Sequence, residues 1–213
     1  MSGLVYVCGQ KGGTTKTTTA QMLCLGAVLR NQPAVYVVTD PHRVLKDKGR
    51  PFYVLDGRDP EMLAQIITAM KKNDNGWLIV DGGGNRPAFD KTISAQADLS
   101  LLPFRASGED TDMILADMEA MPEAIAWPCA WPTNWMAEQE AQRHIDKIKT
   151  AYPLRLIEQP LHFVNCASQL LDETLDYPAS PLRNAARKAF DIMAECLEER
   201  SRSRAGEQRA AVA

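Results

Sequence analysis

The chain lacks any apolar run near the roughly 20 residues that a membrane-spanning helix needs, which excludes such a helix. It also lacks a basic N-terminal segment leading into an apolar stretch, so no secretory signal is expected. Its five cysteines (Cys8, Cys24, Cys129, Cys166, Cys196) form no C-x-x-C pair. Several sit in apolar strands or helices, as reduced, buried small hydrophobes would, and this points to the cytoplasm. The three histidines (His42, His144, His162) are isolated, so no histidine-based metal cluster is predicted and no Ser-His-Asp motif has support. A net charge of −3 means the chain is not a polycation, and nucleic-acid binding would need a local basic patch. There is no internal repeat and no linker. At 213 residues the expectation is one domain over 1–200, followed by a tail, 201–213, whose composition predicts disorder.

What is present is an alternation of strands and helices. Leu4–Cys8, Ala34–Thr39, Trp77–Val80, Asp98–Pro103 and Ala124–Trp131 read as strands, with Pro128 an awkward member of the last. Leu154–Ile157 reads as a short late strand. Apolar residues at helical spacing (Met62, Leu63, Ile66, Ile67, Met70) predict a helix over 60–72. A charged helix is predicted near 136–150 and an amphipathic one over 181–199. Continuously apolar strands separated by helices predict an α/β fold: a three-layer, mostly parallel sheet flanked by helices. Ligands of such sheets sit at the carboxyl ends of the strands.

The first strand runs into Lys11-Gly12-Gly13-Thr14-Thr15-Lys16-Thr17-Thr18, and a helix follows. Strand, glycine-rich turn, Lys-Thr and helix is the construction of a phosphate-binding loop. Backbone N–H groups of residues 12 to 18 would cradle phosphate oxygens, aided by the positive end of the helix dipole. Lys16 would reach the β- and γ-phosphates, and the Thr17 hydroxyl would be offered to Mg²⁺. The third strand ends in Val80-Asp81-Gly82-Gly83-Gly84, an apolar run closed by a carboxylate that would hold the Mg²⁺ of a bound ATP.

The second lysine sharpens this. Lys-Gly-Gly-x-x-Lys-Thr resembles the deviant Walker A motif of the ParA/MinD family of ATPases, whose fold is that of a P-loop NTPase. The resemblance spans Val5 to about Leu197 and is most specific at the two Walker regions. It implies an ATP-sandwich homodimer in which Lys11 crosses to the partner's nucleotide. Asp40-Pro41 resembles the end of the family's Asp-x-Asp-Pro-Gln segment and implies that Asp40 orients the attacking water. Val38 replaces the first Asp and His42 the Gln, and Thr15 stands where most members have Gly. A β-branched residue disfavours positive φ, so a slightly reshaped loop and slow turnover are expected. The resemblance also implies adenine contacts at Asn134 and, after the last strand, Pro160.

The partner is argued from the C-terminal part. No bulky apolar face continues beyond Leu197, which argues against a membrane anchor of the MinD kind. Arg183, Arg187 and Lys188 lie near one another on the last helix, and ParA-like proteins bind DNA without sequence preference through basic residues in this region. The expected activity is therefore a slow, partner-stimulated ATPase. It would be nucleoid-associated when ATP-bound and would position a plasmid, chromosome region or protein complex through a ParB-like or cargo-adaptor partner. Alternatives are an accessory ATPase of conjugative DNA transfer, a nucleotide-dependent scaffold that scarcely hydrolyses ATP, and an ATP-dependent carboxylate ligase similar to dethiobiotin synthetase. Nitrogenase-iron-protein-like reductases share the early lysine but need cluster cysteines that the 81–107 stretch does not supply.

Overall fold

The computed structural model describes residues 2–13, 15–73, 75–84 and 86–212, with side chains for all but Asn73 and residues 204–212. Six strands form one parallel sheet in the order β3-β2-β4-β1-β5-β6: β1 Gly3–Val7, β2 Ala34–Val38, β3 Tyr53–Asp56, β4 Trp77–Asp81, β5 Leu99–Phe104 and β6 Ala124–Pro128. Six α-helices cover it: α1 Lys16–Leu29, α2 Pro60–Asn73, α3 Pro87–Ser94, α4 Gly108–Ala120, α5 Trp135–Ala151 and α6 Ser180–Val212.

The period of two along each strand divides the core in two. Val5, Val7, Ile79, Leu99, Leu101 and Trp127 face α1 and α6, where Leu23, Leu182, Phe190 and Met193 complete one layer. Leu4, Tyr6, Leu78, Val80, Leu102 and Phe104 face the other way, against Leu63, Ile67, Ile93, Ile114, Met118 and Ile148. The central strands are thus buried on both faces, as their apolar sequences predict. Trp77 anchors the first layer, with its indole N–H on Gln32 Oε1 at 2.6 Å and its ring edge-on to Phe190 at 5.2 Å. The two helices of that layer approach closely at Gly26, where a Cβ would stand 2.1 Å from the Ala186 carbonyl oxygen.

Four elements differ from the sequence expectations. The fifth expected strand ends at Pro128: the Cys129 N–H still reaches the Phe104 carbonyl at 2.7 Å, but Ala130 turns to φ 51 and leaves the extended conformation. Leu154–Ile157 makes only an isolated bridge, Ala126 to Leu156, and adds no strand. Edge strand β3 gave no signal. It is four residues long, and its exposed Tyr53 and Leu55 do not carry the buried apolar run of a central strand. α6 also continues to Val212, through the stretch whose composition pointed to disorder; Ala205 to Ala211 is rich in helix-forming Ala, Glu, Gln and Arg.

Candidate functional site

The carboxyl ends of β1, β2 and β4 converge on the loop between β1 and α1, which brings residues 11–18, Asp40 and Asp81 to one edge of the sheet. Thr14 lies outside the described residues. Gly12 is exposed, and Gly13 takes φ +79, which its lack of a Cβ permits. Thr15 follows at φ 71 and ψ 7, fully left-handed. A β-branched residue in this region carries strain, typically about 1–3 kcal/mol. The Thr15 hydroxyl is buried against the Cys129 thiol without a hydrogen bond of ordinary geometry. Burial pushes that thiol up to about 12, so it stays protonated. Thr15→Gly should relieve the strain and raise the stability of the chain by about 1 kcal/mol, or about 2–4 °C in Tm for a domain of this size. Thr15→Ala, which keeps the Cβ, should recover little of this. Differential scanning calorimetry of both variants decides it.

Lys16 opens α1 with its side chain buried. Its ammonium donates to the Lys11 carbonyl at 2.6 Å. Burial lowers its pKa, and the charge of Asp81 acts in the opposite direction. Lys11 itself reaches the start of α4, where it pairs with Asp110 and, at 3.0 Å, with Glu109. Hydrogen bonds to those two carboxylates, Asp110 foremost, raise its pKa.

Asp81 closes β4 and is almost wholly buried. Burial raises its pKa, while the Tyr36 and Thr17 hydroxyls, Arg43 and Lys16 all favour the ionised form. Tyr36 donates to Oδ2 at 2.6 Å, and Oδ1 is buried without a hydrogen-bond partner. A buried, partnerless carboxylate oxygen beside the Thr17 hydroxyl is a donor set suited to a hard divalent cation. Among the described residues no group of three or more His, Cys, Asp and Glu could hold a metal. Asp40 is held in a turn by the His42 N–H at 2.9 Å, leaving Oδ2 to face Arg43 at 4.0 Å.

The adenine candidates follow β6. Asn134 caps α5, its Oδ1 accepting the N–H groups of Met136 (3.0 Å) and Ala137 (3.4 Å). Pro160 lines a groove of about 600 Å³ with Trp131 and Trp135. Arg183, Arg187 and Lys188 lie in the first turns of α6. Arg183 and Lys188 are exposed, while Arg187 is half-buried and bonds Asn184. Because α6 crosses α1 at Gly26, ten residues beyond Lys16, these basic side chains sit about 15 Å along α1 from the loop.

No family model matches the chain, and no curated protein matches it. Solved structures do. Apo McdA from Cyanothece superposes with a TM-score of 0.67 at 16% identity, covering 92% of this chain and 100% of that one. The chain shares the fold of the ParA and MinD structures. Cobyrinic acid a,c-diamide synthase from Mycobacterium smegmatis, with bound ADP and magnesium, shares it at a TM-score of 0.61 and 15% identity over 90% of this chain and 93% of that one. So does pNOB8 ParA bound to nonspecific DNA, at 0.57 and 13% over 95% and 99%.

Within this ParA/MinD-type fold, several residues that the sequence did not single out support the loop. The Gln10 N–H donates to Asp117 Oδ2 at 3.0 Å, and its side-chain amide donates to Asp90 Oδ2 at 2.8 Å. Asp90 also accepts the Tyr6 hydroxyl. Burial raises the pKa of both carboxylates. One glutamine thus ties the phosphate loop to α3 and to α4. Arg86 fixes the segment before α3 by donating to the Thr39 carbonyl at 2.7 Å. Nothing in the spacing of Gln10, Asp90 and Asp117 could have revealed this, because they are 80 and 107 residues apart.

Proposed function

We propose that the chain is a ParA-like ATPase that binds Mg-ATP at the β1–α1 loop, forms an ATP-sandwich homodimer and binds DNA without sequence preference. The observation that carries this reading is the double-lysine loop standing beside Asp81, whose buried Oδ1 lacks a partner. Lys16 leaves the Lys11 carbonyl for the β- and γ-phosphates, and the N–H groups at the start of α1 take the phosphate oxygens. Thr17 and Asp81 hold the magnesium, which when bound neutralises the β- and γ-phosphate charge. Asp40, at the end of the neighbouring strand, accepts a hydrogen bond from the attacking water and sets its line of approach. Lys11 leaves Glu109 and Asp110 for the partner's nucleotide. Asn134 and Pro160 contact the adenine, with Asn134 donating through its amide NH₂ while its oxygen caps α5. Arg183, Arg187 and Lys188 supply the phosphate contacts to DNA. A ParB-like or cargo-adaptor protein stimulates hydrolysis and releases the dimer from DNA, so that a cargo is segregated or positioned. The protein acts in the cytoplasm, on the nucleoid when ATP-bound.

The test is DNA co-sedimentation with ADP, ATP and a slowly hydrolysed ATP analogue across a salt series. The expected result is binding with the triphosphate alone, weakening as salt rises and lost in Arg183→Ala/Arg187→Ala. Binding that ignores nucleotide, or none while ATP still binds, would sink the DNA arm. The likeness to cobyrinic acid a,c-diamide synthase favours one other reading, ATP-driven activation of a carboxylate. ATP turnover that depends on an added carboxylate or amine would select it.

A further inference from the structure

Arg43 occupies a place in the site that no motif assigns. It lies three residues beyond Asp40, its N–H on the Asp40 carbonyl at 3.2 Å. Its Nε is 3.9 Å from Asp81 Oδ2 and 4.0 Å from Asp40 Oδ2. That nitrogen is buried and makes no hydrogen bond, and Asp81 Oδ1 is buried and makes none either. A guanidinium placed to bind a carboxylate normally closes to about 2.7–2.9 Å, often through two parallel bonds. Here the cation is held between two carboxylates by charge, without the hydrogen bonds that would fix it. Tyr36 takes Asp81 Oδ2 from the other side at 2.6 Å, and Lys16 is the other cation that favours ionised Asp81.

We propose that Arg43 is the resident counter-cation of the Asp40–Asp81 pair, and that a divalent ion enters this site by displacing it. The inference rests on the reading of Asp81 as the metal-holding carboxylate. Two arguments support exchange over coexistence. First, a magnesium ion held directly or through one water by Asp81 lies within about 2–4 Å of it, the same shell that the guanidinium fills, and two cations at that spacing repel strongly in a buried setting. Second, Arg43 can leave without unravelling its segment. The chain beyond it is pinned independently: Lys46 Nζ donates to the Leu171 carbonyl at 2.6 Å, and Arg50 reaches the Leu170 and Asp172 carbonyls at 3.0 Å. Val44, next to Arg43, is 70% exposed and offers little packing that would resist the swing. Arg43 therefore compensates the buried carboxylate before metal arrives and sets the metal concentration at which the site fills.

The test measures Mn²⁺ binding to the nucleotide-free protein by electron paramagnetic resonance, with wild type, Arg43→Gln and Arg43→Lys compared. The glutamine variant is expected to bind Mn²⁺ at least tenfold more tightly than wild type, and the lysine variant to stay within a few-fold of wild type. In EDTA the glutamine variant should melt below wild type, and Mg²⁺ should restore more of its Tm than it adds to wild type. If Arg43→Gln fails to fold, Arg43→Met, which fills a similar volume without charge, takes its place. Equal Mn²⁺ affinity in wild type and the neutral variant, with Mg-ADP bound by both in isothermal titration calorimetry, would overturn the role of Arg43 and leave the nucleotide site standing. No Mg-ADP binding by any of them would overturn the site itself.

Discussion

Lys16→Ala should reduce ATP affinity by at least 100-fold while leaving the fold intact. The substitution removes a buried ammonium that donates to a carbonyl of its own loop, Lys11 O, at 2.6 Å. That bond holds the amine a few residues from where phosphate oxygens would lie. Hydrogen bonds from a charged donor are worth about 1.5–3 kcal/mol net, and each 1.4 kcal/mol is tenfold in affinity. Two phosphates contacted by one ammonium therefore account for a loss of about two orders of magnitude. Stability should hardly change, because burial already disfavours the charged amine. Isothermal titration calorimetry with a slowly hydrolysed ATP analogue, beside a thermal melt, checks both halves. Undiminished affinity would show that the loop does not hold the phosphates.

Gly26→Ala should be the most destabilising single methyl added to the chain. The new Cβ would stand 2.1 Å from the Ala186 carbonyl oxygen and 2.6 Å from Phe190 Cβ. The first of these contacts is with helix backbone near the start of α6, so no rotamer change relieves it. α1 and α6 would have to separate, opening the layer built on Leu23, Leu182, Phe190 and Met193. Overpacking of a core costs about 1–3 kcal/mol, and a backbone clash between two helices belongs at the upper end. For a domain of this size about 3 kcal/mol lowers Tm by about 6–12 °C. Phe190→Ala in the same chain should recover little, since the carbonyl contact remains. Urea denaturation of the single and double variants measures this, and a loss below 1 kcal/mol would mean that the helices are not locked at that crossing.

The parts of the site that were legible in the sequence are local ones. Lys16 and Thr17 fall within one turn and a helix start, and Asp81 closes an apolar strand, so local pattern exposes them, while Lys11 came from the resemblance to the ParA/MinD family. Five strands were legible because burial on both faces writes an unbroken apolar run, and β6, though at the sheet's edge, is buried along its whole length. β3, at the other edge, was not, since its Tyr53 and Leu55 are exposed. The supporting contacts were hidden for another reason. Asp90 and Asp117 belong to no motif, and only the packing of α3 and α4 beneath the loop makes them partners of Gln10. Arg43 reads as one more basic residue in a loop, and its place between Asp40 and Asp81 depends on the turn that Asp40 makes with His42. Thr15 is an intermediate case: the conflict between a threonine and a left-handed position was visible, but the sequence could not say whether the loop or the side chain would yield.

The Gln10 contacts make the loop and its two supporting helices a single thermodynamic unit. A displacement of α3 lengthens the bond to the Gln10 side chain, and a displacement of α4 lengthens the bond to its backbone. Neither helix can drift without pulling on the segment that would hold phosphate. The energetic effects of changes at Asp90 and Asp117 should then fail to add, though the two carboxylates belong to different helices, because each loosens a joint the other also needs. A polypeptide that must sense one phosphoryl group gains from such a joint. It turns a small local shift into a choice between two whole arrangements, with few intermediate positions in which the loop is half-formed.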